Sequence, residues 1–326
     1  MFKAEMVLEW LLQDQVAGLV QCGVPAAAFC SALSSASRSS LMRELTRRPL
    51  RLKLLYVTPE SVVSSIEKSG PLIRLLKDAH NDGCLSLLVV DEAHCISSWG
   101  HDFRDSYRKL GILRAEFPGL PCMALTATAS SVVREDIAHS LYLRNPSLIL
   151  KSFDRPNFFY SVIAKKVSSA SASAARGSSC SLSSAEPILS YIRQRPGECG
   201  IVYCLSRDES RTLCAYLNTN RVRAGLYTAE QSIADRLQVQ QDWTSGRIMI
   251  VVATIAFGMG IDKPDVRFVL HATLSKSIEG YYQESGRAGR DGKPAECIIF
   301  FNGQVERGRE REKKKGEEGR VATRSL

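Results

Sequence analysis

The chain has 326 residues, too many for one ordinary domain and suited to two. Hydrophobic residues make up 44% and charged residues 24%, which excludes a wholly disordered chain. Lys and Arg outnumber Asp and Glu by 43 to 34, so the net charge of +9 fits a polyanionic partner without fixing which one.

Short apolar, β-rich runs alternate along the chain with longer amphipathic stretches. In the first half, 52–57, 85–90 and 122–125 predict buried strands, and 61–76 and 132–141 predict helices. Segment 155–157, Arg-Pro-Asn, breaks the periodicity and marks a junction. In the second half, 200–204, 248–253, 267–271 and 297–301 predict strands, and 208–217, 233–243 and 277–285 predict helices. Strand–helix alternation with near-continuous apolar strands predicts an α/β fold with parallel sheets covered on both faces. The expected organisation is a first domain over 1–150, a second over 151–303, and a charged tail over 304–326. Segment 168–184 holds nine Ser and four Ala in 17 residues, so a flexible insertion is expected there.

No apolar run approaches the roughly 18 residues of a membrane-spanning helix. Lys3, Glu5 and Glu9 interrupt any signal-peptide core, so neither membrane nor secretory pathway is expected. The ten cysteines are scattered and include no C-x-x-C pair, which predicts reduced thiols in a cytosolic or nuclear protein and no zinc site.

Asp91 and Glu92 close the apolar run 85–90. Two acids at the carboxyl edge of a parallel strand lie where α/β folds bind ligands. This is the Walker B arrangement, in which the Asp holds Mg²⁺ through water and the Glu orients the attacking water. Two acids alone also suit a solvated strand end. Trp99, Phe103 and Tyr107 recur every four residues beside His101, Arg104 and Arg108. That pattern suits base stacking with phosphate contact, and equally a buried helical stripe. Arg287 and Arg290 lie three apart, so on a helix they share one face, and guanidinium forks suit phosphate oxygens. Gly258 and Gly260 allow close backbone approach after the strand 248–253.

Read in full, Asp91–Tyr107 is DEAHCISSWGHDFRDSY. It resembles helicase motif II and the aromatic-rich loop of the RecQ family of superfamily-two DNA helicases. LLQDQV at 11–16 resembles motif Ia, YVTPE at 56–60 motif Ib, and LTATA at 125–129 motif III. SFDRPNFFYSV at 152–162 resembles the lobe junction. IVYCLSR at 201–207, VVATIAFGMGIDKPD at 251–265 and YYQESGRAGRDG at 281–292 resemble motifs IV, V and VI. The resemblance runs from about residue 8 to 301 and implies two RecA-like lobes with parallel sheets.

By that resemblance, Glu92, Gln283, Arg287 and Arg290 are catalytic, with Arg290 the arginine finger. Asp91, His94, Gly260 and Asp262 lie at the nucleotide, and Asp91 holds the metal. Gln15, Thr58, Trp99, His101, Phe103, Arg104, Thr126, Ser206 and Thr254 contact nucleic acid. ATP and Mg²⁺ are the implied cofactors and DNA, single-stranded or unwinding, the implied partner. The family acts as a 3′-to-5′ DNA helicase in repair and recombination, in the nucleus. The family has Pro where Asp105 stands here, which places a negative charge near the DNA.

No segment reads G-x-x-x-x-G-K-[ST], the P-loop that cradles phosphates. The family places it before motif Ia, where this sequence starts, so the first lobe is expected to be incomplete at its centre and inactive in hydrolysis. Glu9 and Trp10 replace residues that are apolar and small in the family. Two other readings stand beside the helicase core: a non-hydrolysing paralogue that binds DNA or a partner, and an RNA helicase of the related DEAH group. The charge and motifs leave the oligomeric state open.

Overall fold

A computed structural model describes residues 2–6, 12–31, 33–99, 102–164, 185–258 and 263–301. The chain divides after Ser152 into two units, each built on its own parallel sheet. The insertion at 168–184 and the tail at 304–326 lie outside the described residues, as do Glu9 and Trp10.

The first unit runs β1 (Phe2–Met6), α1 (Leu12–Gln21), β2 (Ala26–Phe29), α2 (Ser35–Thr46), β3 (Leu54–Val57), α3 (Pro59–Glu67), α4 (Pro71–Asn81), β4 (Leu85–Val90), α5 (Asp105–Arg108), α6 (Ile112–Glu116), β5 (Cys122–Ala124) and α7 (Ser131–Ser140). The strand order is β2-β3-β1-β4-β5, all parallel. Helices return each strand to the starting edge, which is what parallel pairing requires. The apolar faces of α3 and α4 bury Val62, Val63, Leu72, Ile73 and Leu76 in one core with Leu55, Leu88 and Val90.

One expectation is corrected here, the single helix over 61–76, and the first sheet runs unbroken across the strands described. The sheet is filled at its centre: β1 pairs with β3 on one side and β4 on the other, and Phe2, Ala4 and Met6 are buried. One flank is β5, a short strand paired among the described residues with β4 alone, whose Met123 is half exposed. The helix expected over 61–76 is two helices. Ser69 adopts a left-handed φ of 49°, the Gly70 amide donates to Ser65 O at 2.6 Å, and Pro71 starts α4. A proline has no amide to continue α3 and a fixed φ suited to a new first turn.

The second unit runs β6 (Phe158–Ala164), α8 (Glu186–Arg193), β7 (Cys199–Tyr203), α9 (Arg207–Thr219), β8 (Ala224–Tyr227), α10 (Ile233–Thr244), β9 (Ile250–Ala253), β10 (Val266–His271), α11 (Ile278–Ser285) and β11 (Ala295–Phe301). The order is β6-β11-β10-β7-β9-β8, again parallel throughout. One face packs Val202, Val252, Phe268 and Leu270 against Ile188, Leu213 and Leu217. The other packs Ile201, Val251 and Val269 against Trp243 and Phe257. Both faces are therefore covered, as near-continuous apolar strands require. Gly200 in β7 leaves room for the Phe268 ring, because a Cβ there would lie inside it.

Candidate functional site

β4 is apolar throughout and ends on Asp91, whose amide donates to Met6 O at 3.1 Å and so ties the acid to the end of β1. Asp91 Oδ1 accepts from the Glu92 amide at 2.8 Å. Burial pushes the Asp91 carboxyl above its ordinary value, and that amide pulls partly the other way. Glu92 adopts a left-handed backbone, φ 49° and ψ 41°, a sparsely populated region for a residue with a Cβ. It starts a 3-10 turn over Ala93–Ile96 that is buried along its length.

His94 reaches from that turn to the next strand end. Its Nδ1 lies 3.0 Å from Thr126 Oγ1 and 3.3 Å from Glu92 Oε2. Thr126 Oγ1 donates to Thr128 O and accepts from the Thr128 amide, both at 3.2 Å. A hydroxyl has one proton, so with that proton on Thr128 O the threonine accepts from His94, which places the imidazole proton on Nδ1. The Ala93 amide donates to Leu125 O at 2.8 Å and strengthens the same link. Asp91, Glu92, His94 and Thr126 are thus brought together at the carboxyl ends of β4 and β5. This junction joins the acids to the loop after β5, so a shift at one is felt at the other.

Beyond the turn, the aromatic stripe splits. Tyr107 is fully buried, whereas Trp99 is 77% and Phe103 42% exposed. Arg104 is half-buried, donates its amide to Cys95 O at 2.9 Å and pairs with Asp102 at 2.9 Å. Asp105 sits in the first turn of α5 and pairs with Lys109 at 3.4 Å, four residues on. Its charge is therefore partly answered within the helix. His101 lies outside the described residues.

One candidate for nucleic-acid contact, Thr58, already serves the fold. Thr58 is buried and caps α3, with Oγ1 accepting from the Ser61 amide and donating to Ser61 Oγ at 2.7 Å. Gln15 is half-buried on α1, and its buried Oε1 has no hydrogen-bond partner among the described residues. Sequence reading gave no sign of either circumstance, because capping and burial depend on where the neighbouring strand ends lie.

In the second unit, Ser206 caps α9 by accepting from the Glu209 amide at 3.1 Å, and Thr254 is buried at the end of β9. Gly260 and Asp262 lie outside the described residues. Arg287 and Arg290 share no helical face, since both lie beyond the helix read at 277–285. α11 ends at Ser285, Gly286 follows as its cap, and Gly289 takes a left-handed φ of 49°. Both arginines therefore stand on a turn, Arg287 buried and Arg290 exposed. Gln283 lies half-buried in the last turn of α11.

Arg287 packs under the β9 loop, and a Cβ on Gly258 would come within 3.2 Å of its Nη2. Tyr203 lies beside it and donates to Phe257 O at 2.6 Å. Burial pushes the Tyr203 phenol up to about 12, with the Arg287 charge pulling it down. The Tyr203 ring stacks on His271, whose Nε2 meets Glu284 Oε2 at 2.9 Å, and Ser275 Oγ donates to the same oxygen at 2.5 Å. Tyr203, His271 and Glu284 escaped the sequence reading, because a buried polar chain has no period or spacing to mark it. It joins β7, β10, α11 and the β9 loop.

Among the described residues no cluster of three His, Cys, Asp or Glu has metal-ligand geometry. Asp91 fits a metal held chiefly through water. It is a desolvated carboxylate with one oxygen already oriented by a backbone amide, and a divalent cation would offset its burial. No helix of the described residues is long and apolar enough to cross a membrane.

Residues 8–136 match the DEAD/DEAH box helicase family, and 183–292 match the helicase conserved C-terminal domain. The chain is 43% identical over 293 residues to ATP-dependent DNA helicase Q-like 2 of Arabidopsis thaliana, covering 89% of this chain and 39% of that protein. It is 41% identical over 292 residues to ATP-dependent DNA helicase Q1 of Rattus norvegicus, covering 89% and 44%. Among solved structures, helicase Lhr of Mycobacterium smegmatis, bound to single-stranded DNA and AMP-PNP, superposes with a TM-score of 0.69 at 19% identity, over 92% of this chain and 40% of that one. At that identity the likeness concerns the fold of RecA-like lobes. The chain spans less than half the length of these curated relatives. Two helicase domains in this order, with about two residues in five shared along nine tenths of the chain, make it a member of the RecQ family of DEAD/DEAH-box helicases.

Proposed function

We propose that these residues form the motor core of an ATP-dependent, 3′-to-5′ DNA helicase that works in nuclear DNA repair and recombination. The observation that carries the reading is the junction of Asp91, Glu92, His94 and Thr126 in the unit that also displays Trp99 and Phe103. A site that senses nucleotide and a loop able to stack on bases then share one rigid strand end. The relatives of the chain, named as ATP-dependent DNA helicases, support it.

In this reading Asp91 holds Mg²⁺ and Glu92 the attacking water, and Arg287 and Arg290 serve the γ-phosphate. Bound Mg·ATP supplies the free energy of phosphoryl transfer. Arg287 and the β9 loop are ordered from behind by Tyr203, while Thr126 relays the state of the acids to its own loop. Gln15 and Arg104 in the first unit, and Ser206 and Thr254 in the second, are the side chains assigned to the single strand in this reading.

Because no P-loop pattern occurs in the 326 residues, this polypeptide by itself is expected to hold DNA without steady ATP turnover. Binding to a single-stranded DNA, its duplex and the RNA of the same sequence is measured by anisotropy beside phosphate release. Tightest binding to single-stranded DNA with no release is expected. A preference for the RNA would sink the DNA reading, and DNA-stimulated release abolished by Glu92→Gln would overturn the inactivity.

A further inference from the structure

The first unit carries a second concave surface that none of the helicase motifs uses. It is a cavity of about 870 Å³ between α5–α6 and the end of α7. α7 leaves the carboxyl end of β5 and runs back, and α6 leads into the start of β5. The cavity therefore lies toward the amino ends of the strands, away from Asp91 and Thr126.

Its wall is one-signed. Arg108, Lys109, Arg114, His139 and Arg144 line it, and no acidic residue does. Lys109 is engaged by Glu67 and Asp105, and Arg114 donates to Leu120 O. Among the described residues, the guanidinium groups of Arg108 and Arg144 have neither hydrogen bond nor ion pair, and the buried Nε of Arg114 has no partner. The floor is apolar, with Ile112 40% exposed beside Leu143 and two alanines.

At the rim stands Tyr142, 65% exposed and held at a left-handed φ of 49°. A large side chain in that region costs on the order of 1–3 kcal/mol and persists where the surroundings over-determine it. Here Gly111 presses on Ser140 O and the Tyr142 ring, leaving no space for a Cβ at 111. The Tyr142 ring lines the cavity beside Gly111.

We infer that this cavity is a docking groove for an acidic, amphipathic peptide segment of a partner protein. Charge complementarity chooses the sign: carboxylates answer Arg108 and Arg144, whose forks suit them bidentately. The floor chooses the class, because aliphatic or aromatic side chains fill the space over Ile112 and Leu143 while Tyr142 packs on them. A nucleic-acid strand satisfies the arginines but leaves the aliphatic floor without a counterpart.

The test uses the full chain and fluorescein-labelled 12-residue peptides read by anisotropy. One peptide alternates Asp or Glu with Leu and Phe, a second replaces Leu and Phe by Ser, a third replaces the acids by Lys, and a single-stranded oligonucleotide competes. The acidic amphipathic peptide is expected to bind best. Arg108→Glu with Arg144→Glu should weaken it at least tenfold, and Tyr142→Gly, which relieves the backbone, should weaken it several-fold without lowering the melting temperature. Equal binding of the Ser-substituted peptide would reduce the groove to a general anion patch and overturn the proposal. So would unchanged affinity in the Tyr142 variant and in the arginine variant. Competition by the oligonucleotide that disappears in the arginine variant would make the surface a nucleic-acid contact instead.

Discussion

Replacing Trp99 by Ala separates a base-stacking platform from a structural aromatic. The side chain is 77% exposed, so its removal takes little apolar area out of the fold. A surface change of this kind alters stability by about 0.5 kcal/mol or less. If Trp99 stacks on one base, its loss costs about 1–3 kcal/mol of binding. At about 1.4 kcal/mol per tenfold, that is a dissociation constant raised roughly 5- to 150-fold. Trp99→Phe should recover most of the loss, since a smaller ring still stacks. Tyr107→Ala is the counterpart, because Tyr107 is fully buried. It should cost roughly 3–5 kcal/mol of stability, as large aromatic truncations in cores do. The assay is anisotropy of a fluorescein-labelled 12-nucleotide oligo(dT) at fixed salt, with a urea melt of each variant. A Trp99→Ala protein that binds within twofold of the parent refutes the stacking role. One that loses affinity and stability together shows that the ring belongs to the fold.

Asp91→Asn should stabilise the chain at neutral pH. A carboxyl whose pKa is raised in the folded state contributes stability below its unfolded value, near 3.8, and loses it as pH rises through the folded value. The parent should therefore melt lower than the variant at pH 7 and alike at pH 3, and Mg²⁺ should narrow the gap only in the parent; equal melts at pH 7 would refute it. Gly200→Ala drives a methyl into the Phe268 ring and should cost about 1–3 kcal/mol or more in urea unfolding; an unchanged midpoint would show that β7 can shift. A fragment of residues 153–301 has its own sheet with a core on each face, so it should unfold cooperatively on heating. A broad, featureless melt would show that it depends on the first unit.

Much of this architecture is legible in the sequence because buried parallel strands are written as unbroken apolar runs. Leu85–Val90 and Ile250–Ala253 carry that signature, and Ser130, Ser206 and Ser277 mark the helix starts that follow by capping them. β1 was not legible. Lys3 and Glu5 alternate with Phe2, Ala4 and Met6, and a five-residue alternation reads as a polar interruption until its pairing partners are known. The division of α3 from α4 was written in Ser69-Gly70-Pro71 and was overridden by apolar spacing. At the site, Asp91 and Glu92 could be read from the strand before them. The His94–Thr126 bond could not, because it spans 32 residues and depends on β4 and β5 being neighbours. Arg287 and Arg290 fall beyond the helix read at 277–285, on the turn that follows its cap Gly286, and their spacing alone could not say which of them is buried.

β6 has a bearing on how the protein behaves in a tube. Its seven residues, FFYSVIA, pair with β11 along their whole length and with nothing on the other side among the described residues. Natural sheets guard such flanks with lysines, prolines or bulges. This one has none, and Phe159 and Val162 are each about two-thirds exposed on it. An uncharged, β-branched and aromatic strand with one free side is the seed for stacking of chains. What opposes it is the net charge of +9, a long-range repulsion that salt screens within about 8–10 Å at physiological strength. The expectation is self-association that grows with ionic strength and starts at this flank while both units are still folded.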